Sequence, residues 1–254
     1  MNVVYAIANQ KGGVGKSTTA AALWAGAARF GVAALAVDLD PQCNLSYAAR
    51  ADTRGATVYE LLTGEVSAAE AVQRLDGGAM IAASPALAGA DKWLDGVGAE
   101  YRLREGLEPL LNQYSLIVID CPPALGILTV NALVACGRCI IPAGADVFSL
   151  QGVEQLAGTL GAVRRYCNPA LTVDGILLTR YNPRAVLSRE AAELAGCLAQ
   201  SLGSRVYDSR IRDTVAVREA QIAQKSLFDY APRSTAAADY INFIKEVLKN
   251  GEKF

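Results

Sequence analysis

The sequence predicts an α/β fold, a mostly parallel, twisted β-sheet with helices on both faces. Three observations carry that expectation. Short apolar runs alternate with helical patterns along most of the chain. The first run leads into a glycine-rich loop and then an alanine-rich helical stretch. Two later runs lead into Asp40 and Asp120, at the carboxyl edge where an open parallel sheet gathers its ligands.

The elements follow in order. Val3–Ala8 is the first strand, and a helix runs from Ser17 to about Phe30, stopped by Gly31. Val32–Val37 is the second strand and ends in Asp38-Leu-Asp-Pro41. Residues 57–75 read as short helices with Gly64 between them. Met80–Ala83 is a short strand closed by Pro85, and Glu100–Gln113 reads as a helix. Leu116–Asp120 is a buried strand, broken by Cys121-Pro-Pro123. A helix over about 126–136 leads to a strand, 139–142, ending at Pro142. A helix near 150–166 precedes strand Val173–Thr179, and one near 186–201 precedes strand Arg205–Asp208. The last helix, about 234–249, carries Ile241, Ile244, Val247 and Leu248 on one face. No repeat or low-complexity linker divides the chain, so residues 1–254 are expected to form one domain, with no separate N-terminal helix-turn-helix.

Composition narrows the class. Hydrophobic residues make up 52% and charged residues 19%, which supports a large core and excludes disorder. No run approaches the roughly 18 apolar residues of a membrane span. No basic leader precedes the first strand, so a cytoplasmic location is expected. The absence of histidine removes every Ser-His or Cys-His mechanism. Cys136 and Cys139 form a C-x-x-C, yet no second pair completes a tetrahedral site in one chain. They read as buried small hydrophobes, with a metal or iron–sulfur site at a dimer face as the alternative.

The chemistry begins at Lys11-Gly-Gly-Val-Gly-Lys-Ser-Thr18. Gly12, Gly13 and Gly15 allow backbone N–H groups to approach an anion without a Cβ in the way. The helix that follows turns its positive end toward the same anion. Lys16 supplies a point charge for β- and γ-phosphates, and the Ser17 hydroxyl can ligate Mg²⁺. The ordinary loop pattern would need Gly where Gln10 stands, and a second lysine, Lys11, opens the loop instead. Asp120 ends its strand where a carboxylate can hold Mg²⁺ or one of its waters. Its neighbour is Cys121, not glutamate, so water must be oriented by another group. Asp40 is the candidate, and Asp40-Pro41 as a plain turn initiator is the competing reading. No guanine-type N-K-x-D motif is present, which favours ATP.

These motifs resemble the ParA/Soj partition ATPases of the deviant-Walker ParA/MinD group, a P-loop NTPase fold. The likeness rests on Asn9–Ser17, Val37–Gln42, Ile119–Gly126, Ile140–Pro142, Gly175–Thr179 and Tyr230–Ser234, and spans about residues 2–248. The resemblance implies that Lys11 is the signature lysine reaching across an ATP-bound homodimer to the partner's nucleotide, and Lys16 the phosphate lysine. It implies that Gly12, Gly13, Val14, Gly15 and Thr18 line the phosphates, and that Ser17 and Asp120 act at Mg²⁺. It also makes Asp40 the switch aspartate needed for slow hydrolysis, with a place near the metal. Non-specific DNA and a ParB-like centromere-binding protein are the implied partners, with nucleoid association in the ATP state. Two departures stand out. Cys43 replaces the glycine usual after Asp-Pro-Gln, and Ile211-Arg-Asp-Thr214 stands where many relatives have Ile-Pro-Arg-Asn.

Charge is unevenly spread. The net charge is −1, but residues 160–235 hold 11 Lys/Arg against 7 Asp/Glu. Arg180 and the candidate DNA contacts Arg184, Arg189, Arg210, Arg212, Arg218 and Lys225 lie in this block. A solvated arginine-rich surface is the competing reading. In the last helix Lys245, Lys249 and Lys253 are balanced by Asp239, Glu246 and Glu252, which argues against the basic membrane-docking helix of a MinD-like positioning ATPase.

Overall fold

A computed structural model describes residues 2–251. Seven strands form one sheet: β1 (Val3–Ile7), β2 (Ala34–Asp38), β3 (Val72–Leu75), β4 (Gly78–Ile81), β5 (Leu116–Asp120), β6 (Arg138–Gly144) and β7 (Thr172–Thr179). Their order is β3-β4-β2-β5-β1-β6-β7, and every pair is parallel except β3 with β4. Twelve α-helices connect and cover them: α1 (Lys16–Arg29), α2 (Asn44–Ala48), α3 (Val58–Thr63), α4 (Ala68–Ala71), α5 (Ala90–Trp93), α6 (Arg102–Leu107), α7 (Ile127–Ala135), α8 (Val147–Tyr166), α9 (Val186–Ser201), α10 (Val215–Ile222), α11 (Leu227–Tyr230) and α12 (Thr235–Gly251).

The central strands read as unbroken apolar runs because both faces are covered. Alternation sends Val4, Ala6, Ile117, Ile119 and Ile141 into one core, shared with α7 and α8. Tyr5, Ile7, Val118, Ile140 and Leu177 enter the other, beneath α1 and α12. There α1 approaches α12 so closely that a Cβ on Gly26 would lie 2.2 Å from Ile244 Cδ1. The α12 face bearing Phe243, Ile244 and Val247 is therefore buried in the body of the protein. Lys253 and Glu252 lie outside the described residues. Among those described, no helix is long and apolar enough to cross a membrane.

Several sequence expectations change. Residues 57–75 hold two short helices, but 72–75 form β3, the antiparallel edge of a hairpin with β4. The expected helix 100–113 is helical only in pieces, α6 between two 3₁₀ turns. β6 continues through Pro142 to Gly144, because beyond Ile140 it pairs only with β7. Proline lacks an N–H, and a strand paired on one side has room for it. Arg205–Asp208 contributes an isolated bridge, Val206 with Ile176, and not a full strand. Cys136 and Cys139 are 2% and 0% exposed, inside the core. No group of three or more Cys, Asp or Glu suited to a metal occurs among the described residues. The thiols are packing groups, and burial raises the pKa of each.

Candidate nucleotide site

The carboxyl ends of β1, β2, β5 and β7 converge on one open cleft of about 770 Å³. It runs from Gly12–Thr18 past Asp40 and Thr179 to Ile211–Thr214, Val217, Arg218, Gln221 and Ile222. The loop after β1 is fixed at both ends. Asn9 donates from Nδ2 to the Pro142 carbonyl (2.8 Å) and accepts the Lys11 N–H at Oδ1 (2.9 Å). At the far end Thr179 Oγ1 donates to the Val14 carbonyl (2.9 Å). Gly13 and Gly15 hold φ of 73° and 88°, conformations that glycine adopts without steric cost. Gly15 caps α1 with no side chain on it, so the first amides of α1 remain available to an anion.

The two lysines differ in setting. Lys16 is 7% exposed and donates from Nζ to the Lys11 carbonyl at 3.1 Å. Burial lowers its pKa, while Asp120, Cys121 and Asp40 oppose that shift. Lys11 is exposed, and its ammonium makes no hydrogen bond or ion pair among the described residues.

Three aspartates face this loop. Asp38 and Asp120 are partners across β2 and β5, and Asp120 is the partner of Ile7 across β1. Asp120 is fully buried. Burial raises its pKa well above the usual carboxylate value, with Asp38 and Asp40 adding to the rise; Ser17 and Lys16 counter it. Neither oxygen has a hydrogen bond of ordinary geometry. A buried carboxylate in that state calls for a cation or a proton. Asp40, at 6% exposure, accepts the Gln42 N–H at 3.0 Å, which sets the turn after β2. The donor set of Ser17, Asp40 and Asp120 therefore suits Mg²⁺, which takes one or two carboxylates and completes its shell with phosphate and water.

Asp38 was invisible as a functional residue in the sequence. Its carboxylate accepts from Asp40 N (3.0 Å), Ser46 N (2.9 Å) and Ser46 Oγ (2.7 Å), and Ser46 Oγ accepts from Ala83 N (2.9 Å). Burial pushes its pKa up to about 6 against these bonds. Cys43, within the same loop, holds φ 54° and precedes α2. That left-handed backbone explains why a glycine suits the position.

The far end of the cleft is built differently. Tyr181 N donates to the Ile211 carbonyl at 2.9 Å. Arg212 closes on Asp239 of α12 through three bonds, from N (3.0 Å), Nε (2.9 Å) and Nη2 (2.6 Å). Thr214 caps α10 through its hydroxyl. Gln221 of α10 donates to Thr18 Oγ1 at 3.0 Å, tying this end to the loop. The basic residues expected at DNA are spread out. Arg212 and Arg218 line the cleft, Lys225 lines a neighbouring groove, and Arg210 stacks on Tyr181 (4.6 Å). Arg184 and Arg189 are exposed around the start of α9.

A glycine-wrapped anion loop, a buried lysine and a carboxylate at the end of the adjacent strand define a P-loop nucleotide-hydrolysing protein. A family model described as an AAA domain matches residues 2–173. The sporulation initiation inhibitor protein Soj of Bacillus subtilis is 36% identical over 260 residues, covering 99% of this chain and all of that one. The chromosome-partitioning ATPase Soj of Thermus thermophilus is 40% identical over 245 residues, covering 96% and 94%. The chain belongs to the ParA/Soj family of chromosome-partitioning ATPases. A cobyrinic acid a,c-diamide synthase structure from Mycobacterium smegmatis with bound ADP and magnesium is also similar, with a TM-score of 0.86 and 33% identity, covering 99% of this chain and 96% of that one.

Proposed function

We propose that this chain is a single-domain partition ATPase whose ATP-bound form is a homodimer that holds DNA without sequence preference. The observation that carries the reading is the contrast between the two loop lysines. Lys16 is buried among carboxylates, whereas Lys11 stands at the mouth of the loop with nothing among the described residues to neutralise it. An exposed ammonium beside a triphosphate site suits the phosphates of a second subunit.

The backbone of Gly12–Thr18 would hold the β- and γ-phosphates of ATP, with Lys16 as their counter-charge. Mg²⁺, held by Ser17 and Asp120 with Asp40 close by, would supply charge neutralisation on the phosphates. Asp40 would orient the attacking water. With Cys121 beside Asp120 in place of a carboxylate base, turnover is slow until a ParB-like partner stimulates it. ATP acts as a switch because its γ-phosphate makes contacts that ADP lacks. The expected location is the cytoplasm, with nucleoid association in the ATP state.

Light scattering with a non-hydrolysable ATP analogue and Mg²⁺ tests the dimer. The wild type is expected to double in mass and Lys11→Ala to remain a monomer; a monomeric wild type refutes the reading. DNA sedimentation at low salt, with Arg184→Glu and Arg189→Glu, tests the DNA surface. These two residues are chosen because Arg212 and Arg218 line the nucleotide cleft, so their reversal would disturb both ligands at once. Sedimentation with anionic liposomes tests the membrane alternative.

A further inference from the structure

We infer that Asp91, on α5, is a positioning residue for ATP hydrolysis: its carboxylate holds the loop between Asp120 and α7 in place against the nucleotide cleft. The inference rests on the nucleotide reading above and adds a residue outside the cleft to the same reaction.

The loop runs from Cys121 to Gly126, between β5 and α7. It starts directly after Asp120, and Pro123, near its middle, lines the cleft. Pro122 and Pro123 carry no N–H, so the loop has few donors with which to fix its own shape. It depends on its ends. At the front, the Cys121 N–H donates to the Ile7 carbonyl of β1 at 3.2 Å, which makes that end part of the sheet. At the back, Thr129 Oγ1 of α7 donates to the Ala124 carbonyl at 2.6 Å. The Ile127 N–H donates to Asp91 Oδ1 at 2.9 Å, and this bond ties the back of the loop to a separate element.

That element is firmly seated. Ala90 and Leu94, on either side of Asp91, are buried in the core, and Trp93 packs edge-on against Tyr59 of α3 with ring centroids 4.8 Å apart. The Asp91 side chain is itself exposed, so its bond adds little to stability. Its charge meets the positive end of α7, where Gly126 offers no side-chain cap. Gly126 is the second observation. Its backbone, φ −92° and ψ −168°, suits any residue. What crowds a side chain there is Asp91: a Cβ on Gly126 would lie 3.0 Å from both carboxylate oxygens. The glycine leaves room for the carboxylate.

Asp120 is set by β5 and Lys16 by α1, so slackening the back of the loop leaves both in place. It releases Pro123 and the stretch of cleft wall that follows Asp120. The expected signature is lost turnover with nucleotide binding retained.

The test measures phosphate release by the full chain at saturating ATP with Mg²⁺, and the affinity of a non-hydrolysable ATP analogue. Asp91→Ala should lower kcat about tenfold and leave the affinity within about twofold. Asp91→Asn keeps an acceptor oxygen and should hold kcat within about threefold of the wild type. Gly126→Ala should lower kcat about threefold in the wild type and change nothing in Asp91→Ala, because the carboxylate it displaces is already gone. A thermal melt checks folding, with Asp91→Ala expected within roughly 2–4 °C of the wild type. Independent losses from Asp91→Ala and Gly126→Ala overturn the inference. So does wild-type kcat in Asp91→Ala, a matching loss of affinity there, or failure of Asp91→Asn to retain turnover. If the wild type binds and hydrolyses ATP whatever stands at position 91, only this inference falls; if it binds no nucleotide, the nucleotide reading falls with it.

Discussion

At the phosphate end of the cleft Lys16, Asp38, Asp40 and Asp120 are buried beside the sheet; at the base end Arg212, Asp213 and Arg218 are exposed and held by side chains. Asp38 and Asp120 are paired residues of adjacent strands, and Lys16 opens α1 directly behind β1. Arg212, Asp213 and Arg218 lie on irregular chain or a short helix, and the grip of Arg212 on Asp239 sets their position. Burial makes the first end electrostatically tense: three carboxylates and a lysine share a dry space. The second end is wet, so each of its contacts is worth less. Substitutions at the phosphate end should accordingly cost much, and those at the base end little.

The largest effect is expected from Lys16→Ala. Removing the buried counter-charge should weaken ATP binding by about a hundredfold or more, read by calorimetry. Unchanged affinity would mean that the phosphates do not sit on this loop.

Asp120→Asn should be next and should act in two directions. Hydrolysis should fall by about a hundredfold, because the carboxylate proposed to hold Mg²⁺ is lost. Stability without Mg²⁺ should rise. The pKa of Asp38 is raised to about 6 and that of Asp120 is raised well above normal. Raised native values mean that the folded chain binds more protons than the unfolded one, so stability declines as pH climbs through about 6 and beyond. The melting temperature of the wild type should thus fall from pH 5 to pH 7.5 without metal, and less steeply in Asp120→Asn. Equal slopes would show that the carboxylates do not strain the fold.

Gly152→Ala probes how tightly the phosphate end is framed. A Cβ there would lie 2.3 Å from Asn9 Oδ1 and 3.1 Å from the Lys11 N. Overpacking of this kind costs about 1–3 kcal/mol. It should also lower ATP affinity by displacing the loop, and a melt together with a titration reads both.

Arg212→Ala should have the smallest effect. Its side chain is 44% exposed, so solvent screens the pair with Asp239. The cost should be about 1 kcal/mol or less in chemical denaturation, with a severalfold rise in KM and little change in kcat. An effect as large as that of Lys16→Ala would erase the contrast between the two ends.

The same contrast explains what could be read from sequence. Asp120 and the Gly12–Thr18 loop were legible because strand, loop and helix are consecutive, and local spacing fixes their geometry. β3 was not, since Val72–Leu75 is four residues long and owes its conformation to pairing with β4. The helices α2 and α10, of five and eight residues, are also short and lie against the cleft, where tertiary contacts decide. Asp38 read as an ordinary strand end, because its partner Ser46 lies beyond the following turn and is itself joined to Ala83, far off in sequence. Arg212 read as part of a basic surface, because nothing in its neighbourhood announces Asp239.

The anchor made by Asp38 has a mechanical meaning. It pins the amides of Asp40 and Ser46 to a single carboxylate and, through the Ser46 hydroxyl, that of Ala83 as well. The intervening loop is then a bridge with fixed abutments, and the Gln42 and Cys43 amides at its crown are tied only to Asp40. In deuterium exchange the three pinned amides should open together and slowly, and the crown quickly.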